Sequence, residues 1–194
     1  TAGRIWQIAA ADTQTALEFF GQVPTDATML EVQDTIQIEP IAQRFQPACI
    51  ETYYNAWYEK ASITVPEIGI QVHTAQLEDA PRLAPYYHMP GPAAGDVASV
   101  EHYLYDRIRS GAVFYVSLGD ALVGFAGTHE EGSIGLLTVL PAYRRRGLGT
   151  YLEQVAIQRA LERGHIPFGQ IAEYNTASLA LQRSLGMTVS KELV

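Results

Sequence analysis

Short apolar runs separated by polar breaks characterise the first third of the chain. Their spacing predicts a strand over residues 5–11, a short helix over 13–21 and a second strand over 28–32. Between residues 41 and 61, aromatic side chains at near-helical spacing predict a longer helix whose aromatic stripe packs in a core. Pro66 to Gly69 break this pattern, so we expect residues 1–67 to form a divergent N-terminal module.

The pattern of residues 68–194 is clearer, because it switches between the helical and the strand period. In chain order it predicts a strand over 70–75, a helix over 77–87, a loop over 90–95, a helix from Asp96 or Ser99 to Arg109, strands over 112–118, 121–128 and 133–140, a helix over 147–163, a strand over 168–174, a helix capped by Asn175, and a strand from 187. This order, β-α-α-β-β-β-α-β-α-β, favours an α+β fold.

The composition is that of a globular protein. The 194 residues are 47% hydrophobic and 18% charged, which allows one large domain or one domain with a partial second. The net charge is −8, and residues 1–67 carry nine acidic against three basic side chains. A negative surface repels phosphate backbones, so we expect no nucleic-acid partner, whereas cationic amines would be attracted.

Several other classes of protein are disfavoured because the sequence lacks the residues or motifs that they need. Cys49 is the single cysteine, which excludes an intrachain disulfide and fits a reducing, cytoplasmic location. The sequence has no apolar run near the roughly 20 residues that span a bilayer, and residues 1–10 lack the layout of a secretion signal, so we expect no membrane association. The five histidines never fall in a metal-ligand spacing, and no serine lies in a Gly-x-Ser-x-Gly elbow.

The most informative segment runs from Leu137 to Thr150. A strand ends at Pro141, three arginines follow at 144–146, and Gly147-x-Gly149 opens a helix. Unpaired amides and the positive dipole at a helix start can hold a phosphate or diphosphate. A Walker loop is excluded because no lysine lies between Lys60 and Lys191, and a dinucleotide fingerprint would need glycine instead of Leu152.

These residues resemble a known family. Arg144-x-x-Gly147-x-Gly149 after a Leu-x-Val-x-Pro strand is similar to the acyl-CoA signature Gln/Arg-x-x-Gly-x-Gly/Ala of the GNAT N-acetyltransferases. Asn175-x-x-Ser178 and the Leu-Gly-Met ending at 185–187 are similar to that family's second motif. The resemblance leans toward the glycine N-acyltransferase-like or FR47-like branch. It implies a GNAT domain over residues 68–194 with a mixed central β-sheet flanked by helices, preceded by a degenerate GNAT-like half over residues 1–67.

The resemblance also implies roles for individual residues. Backbone amides of residues 144–150 would cradle the diphosphate of acetyl-CoA, and the edge of Leu137 and Val139 would pair with its pantetheine arm. The Leu137 N–H would polarise the thioester carbonyl. Asn175 would meet the arm from the opposite side, although it also reads as a plain helix cap. The expected cofactor-binding set is Leu137, Thr138, Val139, Arg144, Arg145, Arg146, Gly147, Leu148, Gly149, Thr150, Asn175 and Ser178.

The family's usual acid and base are replaced in this chain. A tyrosine seven residues after the asparagine often protonates the leaving thiolate, but Gln182 stands there, and Ser133 stands where a carboxylate is common. Glu131 and His129 share the strand parity of Ser133, so each is a candidate base. Tyr174 is a candidate acid, as are Tyr103 and Tyr105. For each of these side chains, a solvated or packing role is the alternative.

The absence of an evident strong base bears on the substrate. At pH 7 an α-amine near pKa 8 costs about 1.4 kcal/mol to deprotonate, whereas a lysine costs about 4.6. We therefore expect metal-independent acetyl transfer from acetyl-CoA to a primary amine of a small molecule, amino acid or peptide N-terminus. The alternative is a catalytically inactive acyl-CoA-binding sensor or partner module; RNA binding through residues 144–146 is disfavoured for want of a second basic patch. A homodimer is left open.

Overall fold

The computed structural model describes residues 5–27, 29–32, 38–88, 96–191 and 193. Packing divides the chain into two compact units. The first comprises Thr1–Asn55, Ala172–Tyr174 and Ser190–Val194, and the second comprises Ala56–Ile171 and Asn175–Val189. The expected module boundary at residues 66–69 therefore falls inside the second unit.

The first unit begins with three elements that the sequence pattern predicts, namely strand β1 (Ile5–Ile8), helix α1 (Thr13–Phe20) and strand β2 (Met29–Val32). Helix α2 (Ile38–Phe45) follows them. β1 and β2 pair in parallel. Asp12 caps α1 by accepting the Thr15 N–H, and Ala16 and Phe20 bury its inner face. The predicted strands and helix in this region are confirmed.

The prediction of one long helix between residues 41 and 61 is wrong. α2 ends at Phe45, because Gln46 adopts a left-handed φ of 45° and Pro47 cannot continue the helix. The aromatic residues that follow lie instead on strand β3 (Tyr53–Trp57). Aromatic side chains spaced at 53, 54, 57 and 58 fit a helical stripe as well as the two faces of a strand, so periodicity alone misassigned them.

The second unit contains the remaining elements. In chain order they are β4 (Gln71–Thr74), α3 (Ala80–Leu83), α4 (Val97–Arg109), β5 (Val113–Leu118), β6 (Ala121–Thr128), β7 (Ile134–Val139), α5 (Leu148–Glu162), β8 (Phe168–Ala172), α6 (Thr176–Ser184) and β9 (Thr188–Val189). Short 3₁₀ turns flank α3, where Pro81 and Pro85 break up the helix expected over 77–87. The predicted loop over 90–95 lies outside the described residues. The predicted α+β order is confirmed.

Two sheets form the framework of the second unit. β4, β5, β6 and β7 pair antiparallel in that order, while β8, the end of β3 and β9 form a smaller sheet. β7 is thus an edge strand of the first sheet, and β8 begins the second. The two strands approach where β7 starts, because a Cβ atom on Gly169 would lie 3.1 Å from the Ile134 carbonyl oxygen. Beyond that point, no strand of the described four-stranded sheet pairs with the outer edge of β7.

Helices cover both faces of the four-stranded sheet. On one face, Leu83 of α3 and Leu104 of α4 pack with Phe125 in a buried cluster. On the other face α5 lies across β6 and β7, and Leu152 fills the space beside Gly124. Among the described residues, every helix is too short or too polar to cross a membrane. The packing of α5 across β6 and β7 places the start of α5 next to the end of β7.

Candidate active site

The start of α5 differs from the starts of α1, α4 and α6. Those three helices are capped by the side chains of Asp12, Asp96 and Asn175, which accept backbone N–H groups. α5 begins at Gly147, which has no side chain to do so, and its first helical bond is Tyr151 N–H to the Gly147 oxygen at 3.1 Å. The first amides of α5 are therefore available to an anion.

The turn that leads into α5 is shaped for a close approach of backbone to ligand. Gly147 adopts a left-handed φ of 78°, and Arg145 does so at 63°. A Cβ atom at Gly147 would meet nothing within 4 Å, so its position faces open space. Left-handed residues alternating with ordinary ones turn successive N–H groups into a concave, anion-binding surface. Arg145 carries strain of about 1–2 kcal/mol to hold this shape.

Three exposed arginines surround this turn. Arg144 donates its Nε–H to the Val139 oxygen at 3.0 Å, and the Arg146 guanidinium lies 5.8 Å from the centre of the Tyr143 ring. No carboxylate of the described residues lies within ion-pair distance of any of the three. Their positive charge is thus not neutralised within that part of the protein and can attract phosphate.

The strand that precedes the turn carries a bulge that sequence reasoning missed. Phe125 pairs with Thr138 and Gly127 with Gly135, so that Ala126 alone opposes both Leu136 and Leu137. Leu136 adopts a φ of 55°, in the left-handed region that leucine rarely visits. A bulge takes backbone groups out of the ladder at a defined point. The one sequence signal was glycine on both strands, at Gly127 and Gly135.

The parity argument for the candidate bases is wrong. His129 and Glu131 do not lie on β7 but in the turn before it, which Gly132 closes with a φ of 96°. The His129 N–H donates to the Ser133 oxygen at 2.9 Å across this turn. The exposed Glu131 carboxylate accepts a hydrogen bond from the hydroxyl of Ser133, which is itself buried. Their positions are therefore set by the turn and not by strand alternation.

The turn nevertheless brings the His129 ring onto β7. Its Nδ1 lies 2.5 Å from the hydroxyl of Tyr103 on α4, and a Cβ atom on Gly135 would lie only 2.1 Å from its Nε2. The ring thus occupies the space that the missing side chain of Gly135 leaves, two residues along β7 from Leu137. Arg107 fixes the backbone beneath it by donating to the Thr128 and His129 oxygens, both at 2.9 Å.

The surroundings of His129 favour its neutral form. Burial lowers the pKa of the imidazole, Glu131 partly offsets that effect, and Arg107 adds to it. Burial also raises the pKa of Tyr103, so that its hydroxyl stays protonated. Burial, and to a smaller extent the charge of Glu131, likewise raises the pKa of Tyr87 to about 12. Neutral imidazole is the form that can accept a proton.

The remaining predicted residues have different environments. Asn175 is the N-cap of α6, accepting the Ser178 N–H at 3.1 Å, which confirms the cap and leaves its amide NH₂ for another partner. Tyr174 belongs to the first unit, is 74% exposed, and lines a surface depression with Ile50, Glu51, Thr52 and Glu173. Gln182 is 5% exposed. Among the described residues, no three metal-ligating side chains cluster.

The family assignment follows from comparison with known proteins. The model of the acetyltransferase (GNAT) family matches residues 77–187, more than half of the chain. The matched segment contains the α5 turn, the bulged strand β7 and the whole of α6. The chain belongs to the GNAT acetyltransferase family. No curated protein matches it.

Solved structures show the same fold. A Drosophila protein is 20% identical, with a TM-score of 0.74 over 93% of this chain and 65% of its own. A GNAT-family acetyltransferase from Colwellia psychrerythraea is 13% identical, with a TM-score of 0.60 over 80% of this chain and 60% of its own. The protein yncA of Salmonella typhimurium, solved with its cofactor acetyl-CoA, is 21% identical, with a TM-score of 0.51 over 63% of this chain and 82% of its own. The chain thus spans less than two thirds of the first two proteins.

Proposed function

We propose that this protein transfers an acetyl group from acetyl-CoA to the primary amine of a small molecule, an amino acid or a peptide N-terminus. The observation that carries the proposal is the uncapped start of α5, surrounded by three arginines without carboxylate partners and adjoining the bulged edge strand β7. Family membership supports acyl transfer, and the acetyl-CoA bound to a structural neighbour supports the co-substrate.

In this proposal the cofactor is held mainly by backbone. Acetyl-CoA supplies an acetyl group activated as a thioester. The amides of residues 147–150 and the adjacent arginines bind its diphosphate, while the edge of β7 binds the pantetheine arm as an added strand. The Leu137 N–H, at the bulge, donates to the thioester carbonyl and stabilises the charge that develops there. The amide NH₂ of Asn175 is the donor on the opposite side.

For proton transfer we propose His129 before Glu131. The amine nitrogen attacks the carbonyl carbon, the carbon–sulfur bond breaks, and the amine proton passes to Nε2 of His129. His129 is favoured because it is neutral and lies over β7 near Leu137, whereas the Glu131 carboxylate is engaged by Ser133. Tyr103 positions the imidazole through Nδ1. We propose Tyr174 as the acid that protonates the leaving thiolate.

The N-terminal residues and the family branch are part of the proposal. We propose that residues 1–67 form a divergent module of GNAT-like origin; the match to the Drosophila protein covers 93% of this chain, so that protein's fold extends well into these residues. Within the family, the glycine N-acyltransferase-like or FR47-like branch is proposed from the resemblance of residues 68–194 as a whole.

Turnover distinguishes the enzyme from the acyl-CoA sensor. The sensor is favoured by one observation, that buried Gln182 replaces the family's acid. We expect release of free CoA thiol from acetyl-CoA with α-amino compounds at neutral pH, measured with a thiol reagent across a panel of amino acids, peptides and polyamines. Tight acetyl-CoA binding without thiol release for any amine would establish the sensor, and no binding at all would refute both functions.

Replacing Arg144 with alanine is expected to weaken acetyl-CoA binding about 10- to 150-fold, because a charge-assisted hydrogen bond to phosphate contributes roughly 1.5–3 kcal/mol. Isothermal titration calorimetry measures the change. Arg109→Ala is the matched control, since Arg109 pairs with Asp106 at 2.9 Å near the end of α4. Equal affinities of wild type and Arg144→Ala would remove Arg144 from the cofactor site.

A further inference from the structure

The carboxyl group of Glu153 is buried in the second turn of α5 and has no role in the proposed acyl transfer. The residue is only 2% exposed. The strands on which α5 packs, β6 and β7, contain no ionisable side chain, and α6 contains one, the exposed Arg183. No cation of these three elements therefore balances a charge on Glu153.

The ionisable side chains of α5 itself lie elsewhere on the helix. Tyr151, Arg159 and Glu162 line a surface groove together with Glu67, and Glu153 does not contribute to that groove. Tyr151 and Glu153 are two residues apart, which places them on opposite sides of a helix. The charges of this groove thus face away from Glu153.

Within the described part of the chain, the polar group beside Glu153 is the side-chain amide of Gln182 on α6. This amide favours the ionised carboxylate and so lowers its pKa, and Gln182 is itself only 5% exposed. The Gln182 Oε1 atom is buried and finds no partner within the described part of the chain. A protonated Glu153 supplies the missing donor, because its O–H can donate to Oε1 while its carbonyl oxygen accepts from the amide NH₂ of Gln182. An ionised Glu153 can only accept from the amide NH₂ and leaves Oε1 without a donor.

The pair joins the two helices whose first turns frame the proposed cofactor site. α5 starts at the Gly147 turn, and α6 starts at Asn175. Near Glu153 the helices approach closely, because Leu181 of α6 lies 4.0 Å from the position of a Cβ atom on Gly149. The contact between Glu153 and Gln182 therefore helps to determine how the α5 amides and Asn175 face each other.

The ionised form of this pair is costly. Burial raises the pKa of Glu153 to about 7, and the Gln182 amide offsets only part of that effect. Two apolar side chains of similar volume would avoid the cost entirely. The polar pair instead makes the contact between α5 and α6 depend on a proton.

We propose that Glu153 and Gln182 form a positioning pair, which holds the first turns of α5 and α6 in the arrangement that binds acyl-CoA while Glu153 carries its proton. The proposal rests on the proposed function and adds proton control to the same site. Loss of the proton places an uncompensated charge at the contact between α5 and α6, which disfavours the binding arrangement. Glu153 touches neither substrate nor cofactor and acts through the helices.

The test is isothermal titration of acetyl-CoA at pH 6.0 and pH 8.5. If only the protonated form binds, wild-type affinity falls about 30-fold between these values, given a group that titrates near 7. Glu153→Gln keeps the shape and can still pair with the Gln182 amide but cannot ionise, so its affinity is expected to change little. Because ionisation of the CoA phosphates affects both proteins equally, the difference between them isolates Glu153.

Two further variants complete the experiment. Glu162→Gln makes the same chemical change at an exposed position of α5 and is expected to keep the wild-type pH dependence. Glu153→Leu/Gln182→Leu is expected to fold and to bind with little pH dependence, which guards against misfolding of the single variant. Equal wild-type affinities at both pH values, or a 30-fold fall retained in Glu153→Gln, would overturn the positioning pair alone. No acetyl-CoA binding by wild type at either pH would overturn the proposed function as well.

Discussion

His129→Gln is expected to lower kcat/KM for the amine by about 100-fold or more and to leave acetyl-CoA affinity unchanged. General bases contribute about 10²–10⁴ in rate, and the neutral imidazole lies over Gly135, two residues from the proposed carbonyl donor Leu137. Because burial lowers the pKa of His129, kcat/KM is expected to reach its plateau at a lower pH than an ordinary histidine base would give. Steady-state rates with varied amine, combined with titration of acetyl-CoA, measure both quantities.

Two variants sharpen this test. His102→Ala removes a histidine whose side chain is 78% exposed on α4, and it is expected to leave the rate unchanged. Gly135→Ala keeps His129 but displaces its ring, since the new methyl group would lie 2.1 Å from Nε2 as the ring now stands. It is expected to reproduce most of the rate loss. Normal turnover in His129→Gln would exclude His129 as the base and leave Glu131 as the candidate.

The second large effect concerns stability. The free energy of unfolding contributed by Glu153 is expected to fall by about 3 kcal/mol between pH 5 and pH 9, because its pKa is about 7 in the folded protein and 4.5 for an ordinary glutamate. The folded protein holds the Glu153 proton more tightly than the unfolded chain does. This contribution to stability is therefore fully present below the pKa of the unfolded chain and is lost as pH rises through 7.

Urea unfolding of wild type and Glu153→Gln over this pH range measures the effect. The difference between the two proteins should shrink or reverse as pH rises, because the variant has no carboxyl to ionise. Glu162→Gln serves again as the control and should track wild type. Parallel pH profiles of wild type and Glu153→Gln would show that Glu153 is not the titrating group, whatever the protein binds.

Local signals in the sequence explain why one part of the site was predictable. Gly147 at the start of α5, three arginines before it and an apolar helical stripe after it are all contained in about 25 residues. The N-cap at Asn175 is equally local, since its partner is the N–H of Ser178. The antiparallel strands β5, β6 and β7 were predictable for the same reason, because short turns join neighbours along the chain.

The misassigned segment shows the limit of such signals. The aromatic residues from 53 to 58 fit both a helix and a strand, and only pairing with a distant segment decided between them. Ala56 and Trp57 pair with Val189 and Thr188, more than 130 residues later in the chain. Periodicity carries no information about such a partner.

By itself, the sequence determined the element order of the second unit, the uncapped glycine turn and the family motifs, because each depends on residues close together in the chain. The tertiary structure alone decided which side chains share an environment. It brought His129 to Tyr103 and Gly135, opened the bulge at Leu136, and buried Glu153 against Gln182. These outcomes depend on how strands and helices pack across long sequence separations, and packing sets burial, hydrogen-bond partners and thereby proton affinity.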